Sequence, residues 1–508
     1  MALNQLKAGA ILSYVSIGLS NLVGLIYLPF MLRMLGQSEF GLYSLVASVV
    51  AYLTILDFGF GNAIVRYTAR YRAQGQLVEQ YSLFGMFLAL YTLIGIIAFI
   101  SGFELYLNID LLFGKTMTFN ELARGRTMML LLCINLSLTF PLSIFGSIIT
   151  AYENFVFPKL VNIIRIVINP LIVIPLLLYG YKAIAMVVVI TLLNIITLLI
   201  NCWFCFAKLK IKLVFNRFDR NLLKEITRYS FYIFLGIIVD KIYWGTGQFV
   251  LGIVTGTTAV AIFAIAIQLN TFYMSFSTAI SGVFLPRITT MVTQKKSDKE
   301  ISDMFIKTGR IQYIVMGYIL CGFIIFGKAF ILLWAGREYA LAYPITLILI
   351  IPFTIPLIQN LGVTILQARN QMKFRSLLYI LIATLSLGVQ IPLSKTLGGI
   401  GCAIGVAAAM IIGQILIMNI YYKRIQKINI IEFWKEICKM SFVPVLMGIL
   451  TNFILANILL DSILKLGIGI LLFSIVYIPV YWLTSMNQYE KDLIGKPFIT
   501  LVYKRIYQ

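Results

Sequence analysis

Long apolar runs recur along this chain, most of them roughly 18 to 25 residues with few charges, which is the length that carries a helix across a bilayer. A backbone in hydrocarbon must satisfy its own N–H and C=O groups, so only helices and closed barrels can span. Transmembrane strands would be short and alternate at period two. These runs do neither. With 60% hydrophobic and only 12% charged residues, the chain also has too little polar surface to cover a soluble globule. It reads as an all-α integral membrane protein.

Fourteen spans are expected, near residues 9–32, 40–65, 80–103, 126–150, 158–180, 182–206, 229–253, 258–285, 308–333, 342–366, 374–395, 399–422, 441–460 and 463–485. A net charge of +22 would suggest nucleic acid in a soluble protein, but here its placement follows the spans. Thirty of the 41 lysines and arginines fall on one set of alternate connections, nine on the other, and Arg165 and Lys241 lie within spans. That is the positive-inside pattern, so both termini are expected in the cytoplasm and no nucleic-acid partner is expected. Lys7 stands alone before the first span, with no small-residue cleavage site after it. The first span therefore reads as a retained helix. Cys202-Trp-Phe-Cys205 has redox spacing but sits inside an apolar span, where packing is the expected role.

The chain repeats itself. Gly36-Gln-Ser-Glu-Phe-Gly-Leu-Tyr43 opens a segment that bends at Asp57-Phe-Gly-Phe-Gly-Asn62 and ends at Arg66, Arg70 and Arg72. Gly256-Thr-Thr-Ala-Val-Ala-Ile-Phe263 opens a second copy 220 residues later, closing on Pro286-Arg287. Gly146 to Asn154 resembles Gly362 to Asn370, and Gly180 to Ala185 resembles Gly398 to Ala403, at offsets of 216 and 218. Six spans per copy make the halves parallel repeats. The expected organisation is two pseudo-symmetric six-helix lobes, 1–207 and 229–424, joined by a basic amphipathic cytoplasmic linker, 208–228, that rests on anionic lipid. Residues 425–508 follow as an interfacial helix, with Ile425, Ile428, Ile431, Trp434 and Ile437 at three-residue spacing, and two extra spans. Pro141, Pro170, Pro175, Pro352, Pro356 and Pro392 fall inside spans, where each can bend a helix.

No catalytic constellation emerges. The chain has no histidine and no GxxxxGK[ST] phosphate loop, so histidine triads and ATP binding by this subunit are excluded. The informative residues are the ionisable groups at membrane depth: Asp57, Arg165, Asp240 and Lys241. Each costs about 2.5–3.5 kcal/mol to place near a helix centre, so each should face a wet cavity or a partner. The 220-residue offset carries Lys241 to Asn21, Asp57 to Ser277 and Asp240 to Ser20, while the local offset of 216 carries Arg165 to Leu381. Asn21, Arg165 and Lys241 are therefore expected to line a substrate cavity, and Asp57 and Asp240 are the candidate ion-coupling acids. The competing expectation for these charges is inter-helix pairing. Tyr232, Tyr243 and Trp244 could stack on sugar rings, against the more ordinary role of aromatic packing.

The Leu-Gly-Gln-Ser-Glu-Phe-Gly-Leu-Tyr-Ser turn, the Asp57-Phe-Gly-Phe-Gly…Arg66 segment, the Ala-Tyr-Glu-Asn exit and the count of six, six and two spans resemble the Wzx-like polysaccharide flippases. These belong to the multidrug, oligosaccharidyl-lipid and polysaccharide exporter superfamily. The resemblance covers nearly the whole chain. It implies a V-shaped pair of lobes around a cavity lined chiefly by the first, second, seventh and eighth spans. It also implies transfer of an undecaprenyl-diphosphate-linked oligosaccharide repeat unit, of an O-antigen, capsule or other glycan, between leaflets of a bacterial cytoplasmic membrane. Arg165 and Lys241 would hold the diphosphate, and a proton or sodium gradient would drive the cycle. Membrane lipids and polysaccharide polymerase machinery would be further partners, and neither cofactor nor metal is expected. Membrane-depth cations are few, which is where this chain departs from a strongly cationic cavity. A multidrug or cation antiporter of the same superfamily is the alternative, and would need acids in the cavity. A membrane glycan polymerase or glycosyltransferase is the enzymatic one, and would need outer loops that this chain lacks.

Overall fold

The computed structural model describes residues 2–215, 220–369, 371–455, 460–493 and 495. It has no strand among the described residues. The helices are α1 (Ala2–Leu35), α2 (Gln37–Leu53), α3 (Phe60–Ala73), α4 (Leu77–Leu107), α5 (Ile109–Phe113), α6 (Phe119–Ala151), α7 (Val156–Leu178), α8 (Ala183–Ala207), α9 (Arg220–Val254), α10 (Thr257–Thr293), α11 (Asp298–Trp334), α12 (Ala342–Ile358), α13 (Leu361–Ala368), α14 (Met372–Ala409), α15 (Met418–Arg424), α16 (Ile430–Leu455) and α17 (Ile463–Thr484).

Twelve continuous helical stretches among the described residues are long and apolar enough to cross a membrane, and α12 with α13, bent by 45°, makes a thirteenth. One of the twelve, Met372–Arg424, has 53 residues, more than twice what one crossing needs. It breaks at Gly398 (φ 56°, ψ −133°), which divides it into two. The fourteen expected spans are thus accounted for in an all-α integral membrane protein.

The repeat is visible in the backbone. Gly36 and Gly256 both take positive φ, 77° and 96°, immediately before α2 and α10. At Gly36, φ 77° with ψ 169° is a conformation open essentially to glycine alone. Gly180 and Gly398, the third matched pair, likewise both take positive φ, 87° and 56°.

The chain divides into two compact units, Met1–Ile265 with Lys373–Val406, and Ala266–Met372 with Ala407–Gln508. In lipid, helices associate through close packing and polar contacts rather than through the expulsion of water. The first unit packs α3, α4 and α6 around Phe84, Phe87, Tyr91, Ile144 and Ile148. The second packs α11, α16 and α17 around Phe326, Met440, Phe473, Tyr477 and Tyr481.

Of the expected linker, 208–228, residues 208–215 are described as an irregular, non-helical segment and residues 220–228 as the first turns of α9. Ile211 is buried in the α4–α6 core with Leu209 and Leu213 against it, while Lys208, Lys210 and Lys212 are exposed. Val214 N–H donates to the Tyr81 carbonyl at 3.2 Å, so this segment is held to α4. Residues 216–219 lie outside the described residues. The expected interfacial helix runs without a break into the thirteenth span as α16. Ile428 and Ile437 are buried, and Ile425 and Ile431 are exposed.

The N-terminal ends of α2 and α10, the two copies of the opening turn, meet within the first unit. Glu121 Oε1 accepts from Ser38 Oγ at 2.5 Å and from Thr257 Oγ1 at 2.8 Å, bridging the two. Beside it, buried Glu39 pairs with Arg124 at 2.6 Å. Gly41 lies so close that a Cβ there would overlap the Thr257 carbonyl oxygen, a backbone atom that cannot swing aside. Gly41→Val is therefore expected to lower stability by about 1–3 kcal/mol through overpacking. A reduced unfolding temperature of the purified protein checks this.

Candidate functional site in the first unit

Arg165 is the tenth of the 23 residues of α7, and Asn194 is the twelfth of the 25 of α8, so both stand near mid-span. Asn135 is likewise central, the seventeenth of the 33 residues of α6. Arg165 Nη1 donates to Asn194 Oδ1 at 3.1 Å and Nη2 to Asn162 Oδ1 at 3.3 Å. Asn194 Nδ2 passes the chain on to Asn135 Oδ1 and Thr139 Oγ1, both at 2.8 Å. Asn162 Nδ2 donates to Ser16 Oγ of α1 at 3.0 Å. Four helices are thus tied together by one polar network, and its only charge is the guanidinium. The network forms part of the wall of a cavity of about 440 Å³, which Ser20 and Asn169 also line.

Asn21, the residue after Ser20, is half-buried on α1. Lys241 is half-buried on α9 in a different neighbourhood. Its carbonyl accepts from Tyr52 OH at 3.5 Å, and the same hydroxyl bonds to Thr246. No described side chain pairs with its ammonium. Asp240 is partly accessible and within electrostatic reach of both Arg375 of α14 and Lys241. Tyr243 is 2% exposed, which makes it a packing residue, whereas Trp244 is half-buried. The Tyr232 side chain lies outside the described residues.

Asp57 ends a 3₁₀ turn (Thr54–Asp57) at a break in the second span, where Phe58 and Gly59 are both left-handed, at φ 51° and 71°. Phe58 in that region is costly, because its Cβ meets the backbone, and such strain is usual at functional or switching segments. Its ring stacks on Phe234 of α9 at 4.8 Å. Asp57 Oδ1 accepts from Tyr91 OH of α4 at 2.8 Å. The second half places neutral groups at the matched positions. Ser277 stands 220 residues after Asp57, and the amide of Gln312, 221 after Tyr91, lies beside it and donates to the Ile358 carbonyl at 2.9 Å. Ser277 is fully buried, its hydroxyl given to the Leu357 carbonyl at 2.8 Å. The matched positions thus lie side by side in both halves, and only the first copy carries an acid.

The matched Ala-Tyr-Glu-Asn exit is a clasp. Tyr152 OH accepts from Gln80 Nε2 at 2.6 Å, its ring lies 4.1 Å under the Arg72 guanidinium, and Arg72 Nη1 donates to the Ala151 carbonyl at 3.0 Å. In the other half, Arg369 ties the α13 exit to the Gln426 carbonyl at 2.9 Å and to Asp298 at 2.8 Å.

Sequence reading found Arg165 through the cost of its charge, but it missed Asn135, Asn162, Asn194 and Tyr91. Single carboxamides and phenols are common in spans and give no comparable signal. Arg375 was legible only as part of a basic connection, since it lies at the edge of its span.

The architecture is shared with known membrane proteins. A structure titled "Lipid II flippase MurJ, inward closed conformation" superposes over 96% of this chain and all of its own, with a TM-score of 0.72 at 17% identity. An inward-facing multidrug resistance MATE family transporter of the MOP superfamily matches over 81% of this chain and 96% of its own (TM-score 0.63, 16% identity). A mutant of the Vibrio cholerae MATE transporter VcmN matches over 84% and 98% (TM-score 0.57, 16% identity). The chain thus has the fold of MurJ and the MATE proteins. Residues 6–292, more than half of it, match the family described as polysaccharide biosynthesis protein, and the chain belongs to that family. Sequence comparison with curated proteins finds no match.

Proposed function

We propose that this protein is a flippase that moves an undecaprenyl-diphosphate-linked oligosaccharide repeat unit from the cytoplasmic to the outer leaflet of a bacterial inner membrane, for surface polysaccharide synthesis. The observation that carries this reading is the guanidinium of Arg165, set at mid-span beside a cavity and held by carboxamides, with no carboxylate paired to it among the described residues. An uncompensated cation in a low-dielectric site calls for an anionic ligand. A glycan lipid with anionic groups, in its diphosphate or in its sugars, would meet that need, in keeping with membership of a polysaccharide biosynthesis family.

Asn21, Arg165 and Lys241 line the path of the headgroup, and Asp57 and Asp240 are the acids that respond to a proton or sodium gradient. Asp57 is the preferred coupling residue, because its hydrogen bond to Tyr91 sits at a strained break, whereas α10 runs unbroken past the matched Ser277. Two six-helix lobes rock against one another while the last two spans accompany the second lobe, with both termini in the cytoplasm. Purified protein in proteoliposomes tests the reading. Lipid-diphosphate oligosaccharide in the inner leaflet becomes accessible to an external glycosidase when wild-type protein is present, and the rate falls with Arg165→Ala. No acceleration over empty liposomes contradicts it.

Antiport of cationic drugs is the second reading, favoured by Asp57 standing at membrane depth. Drug resistance on expression, without any change in surface glycan, would select it.

A further inference from the structure

The Arg165 cavity carries more chemistry than a positive charge. Two of the five guanidinium donors are committed to Asn194 and Asn162, and the amide nitrogens of those residues are committed onward to α1 and α6. These contacts fix the guanidinium without neutralising it. Asn169 stands one turn further along α7, on the same face as Arg165. Its Oδ1 is shut off from solvent, with no hydrogen-bond partner among the described residues. The next residue is Pro170, which has no N–H to return to the carbonyl of Ile166, another residue of the wall. The cavity therefore presents a fixed cation that needs acceptors, and its wall holds close by an acceptor, Asn169 Oδ1, that has no donor among the described residues.

A diphosphate supplies acceptors and excess negative charge, and would leave Asn169 Oδ1 unmatched in a desolvated place. A carboxylate flanked by hydroxyls matches both, the carboxylate toward Arg165 and a hydroxyl donating to Asn169. A volume of about 440 Å³ suits a small organic group. The matched positions of the second half carry no such groups, since Leu381 stands at the position matched to Arg165 and Ile412 at that matched to Asn194, and both are exposed apolar residues. A cavity built in one half alone belongs to the cargo rather than to the shared scaffold.

We infer that the cavity formed by Arg165 and Asn169 between α1, α6, α7 and α8 is a subsite for the carboxylate-bearing sugar of an acidic glycan. The diphosphate is then held elsewhere, with Lys241 the cation available to it. The inference takes its cargo from the flippase reading, but it is tested by binding alone.

Full-length protein in nanodiscs is titrated with methyl glucuronide, methyl glucoside and inorganic pyrophosphate. The acid sugar binds at least tenfold more tightly than the neutral one. Arg165→Gln and Asn169→Asp each abolish that preference, the second by placing a like charge against the carboxylate, while pyrophosphate binding is the same in Arg165→Gln as in wild type. Thermal unfolding identifies a misfolded variant, and if Arg165→Gln is one, Asn169→Asp decides. Equal binding of the two sugars, no sugar binding to wild type, or pyrophosphate binding lost with Arg165→Gln overturns the assignment. None of these results touches transport itself, which stands or falls on movement of the lipid-linked substrate.

Discussion

Replacing Arg310 by alanine destabilises the second unit by about 3–5 kcal/mol, the cost of leaving a buried charge without its partner. Arg310 of α11 is 5% exposed and Glu490, beyond α17, is 1% exposed. They meet in a two-pronged pair, Nε to Oε1 at 2.6 Å and Nη2 to Oε2 at 2.9 Å. Nη1 reaches Glu436 of α16 at 2.5 Å, and Nη2 also donates to the Ser485 carbonyl at 3.1 Å. One side chain thus fastens α11 to both of the final spans. Once Arg310 is gone, Glu436 retains Lys439 at 2.7 Å, but Glu490 has lost its only cation among the described residues. The loss should appear as a lower unfolding temperature and as easier proteolysis after α17. Arg310→Met combined with Glu490→Leu removes both charges and should cost less than Arg310→Ala alone, because no orphaned carboxylate remains. A double variant worse than either single one would mean that packing around the pair, not charge, is what matters.

Arg165→Ala lowers glycan export by at least about thirtyfold. Truncating one partner of a desolvated charge-assisted contact costs about 2–5 kcal/mol, and each 1.4 kcal/mol is a factor of ten. Loss of the guanidinium also leaves the Asn194 and Asn162 oxygens without their donor. Arg165→Lys keeps the charge but cannot span both carboxamides, and should recover only part of the activity. Surface polysaccharide measured at matched protein levels reports both variants, with Lys241→Ala alongside. Full export from Arg165→Ala and Lys241→Ala together removes cationic recognition of the cargo.

Much of this architecture is legible in the sequence because bilayer thickness and positive-φ glycines leave marks that do not depend on distant residues. The spans follow from hydropathy, and the repeat follows from Gly36 and Gly256, whose positive φ recurs at the same place in each half. The site is legible only where a charge makes burial expensive, hence Arg165 and Asp57. Their partners Asn194 and Tyr91 lie 29 and 34 residues away on other helices, and nothing local distinguishes them from ordinary span residues. Arg310 is harder still, since it falls at the end of a run of basic residues that reads as one cytoplasmic connection. Only the fold shows that its carboxylate partners are 126 and 180 residues further on. The linker differs because its alternating lysines and aliphatics fit an amphipathic surface segment equally well. Leu209, Ile211 and Leu213 join a core whose other members come from several helices distant in sequence, α3, α4 and α6 among them.

The most direct measurement is the leaflet distribution of lipid-linked oligosaccharide in cells from which the gene has been deleted. Accumulation on the cytoplasmic leaflet, reversed by wild-type protein and not by Arg165→Ala, is the expected result. An unchanged distribution would contradict the flippase account.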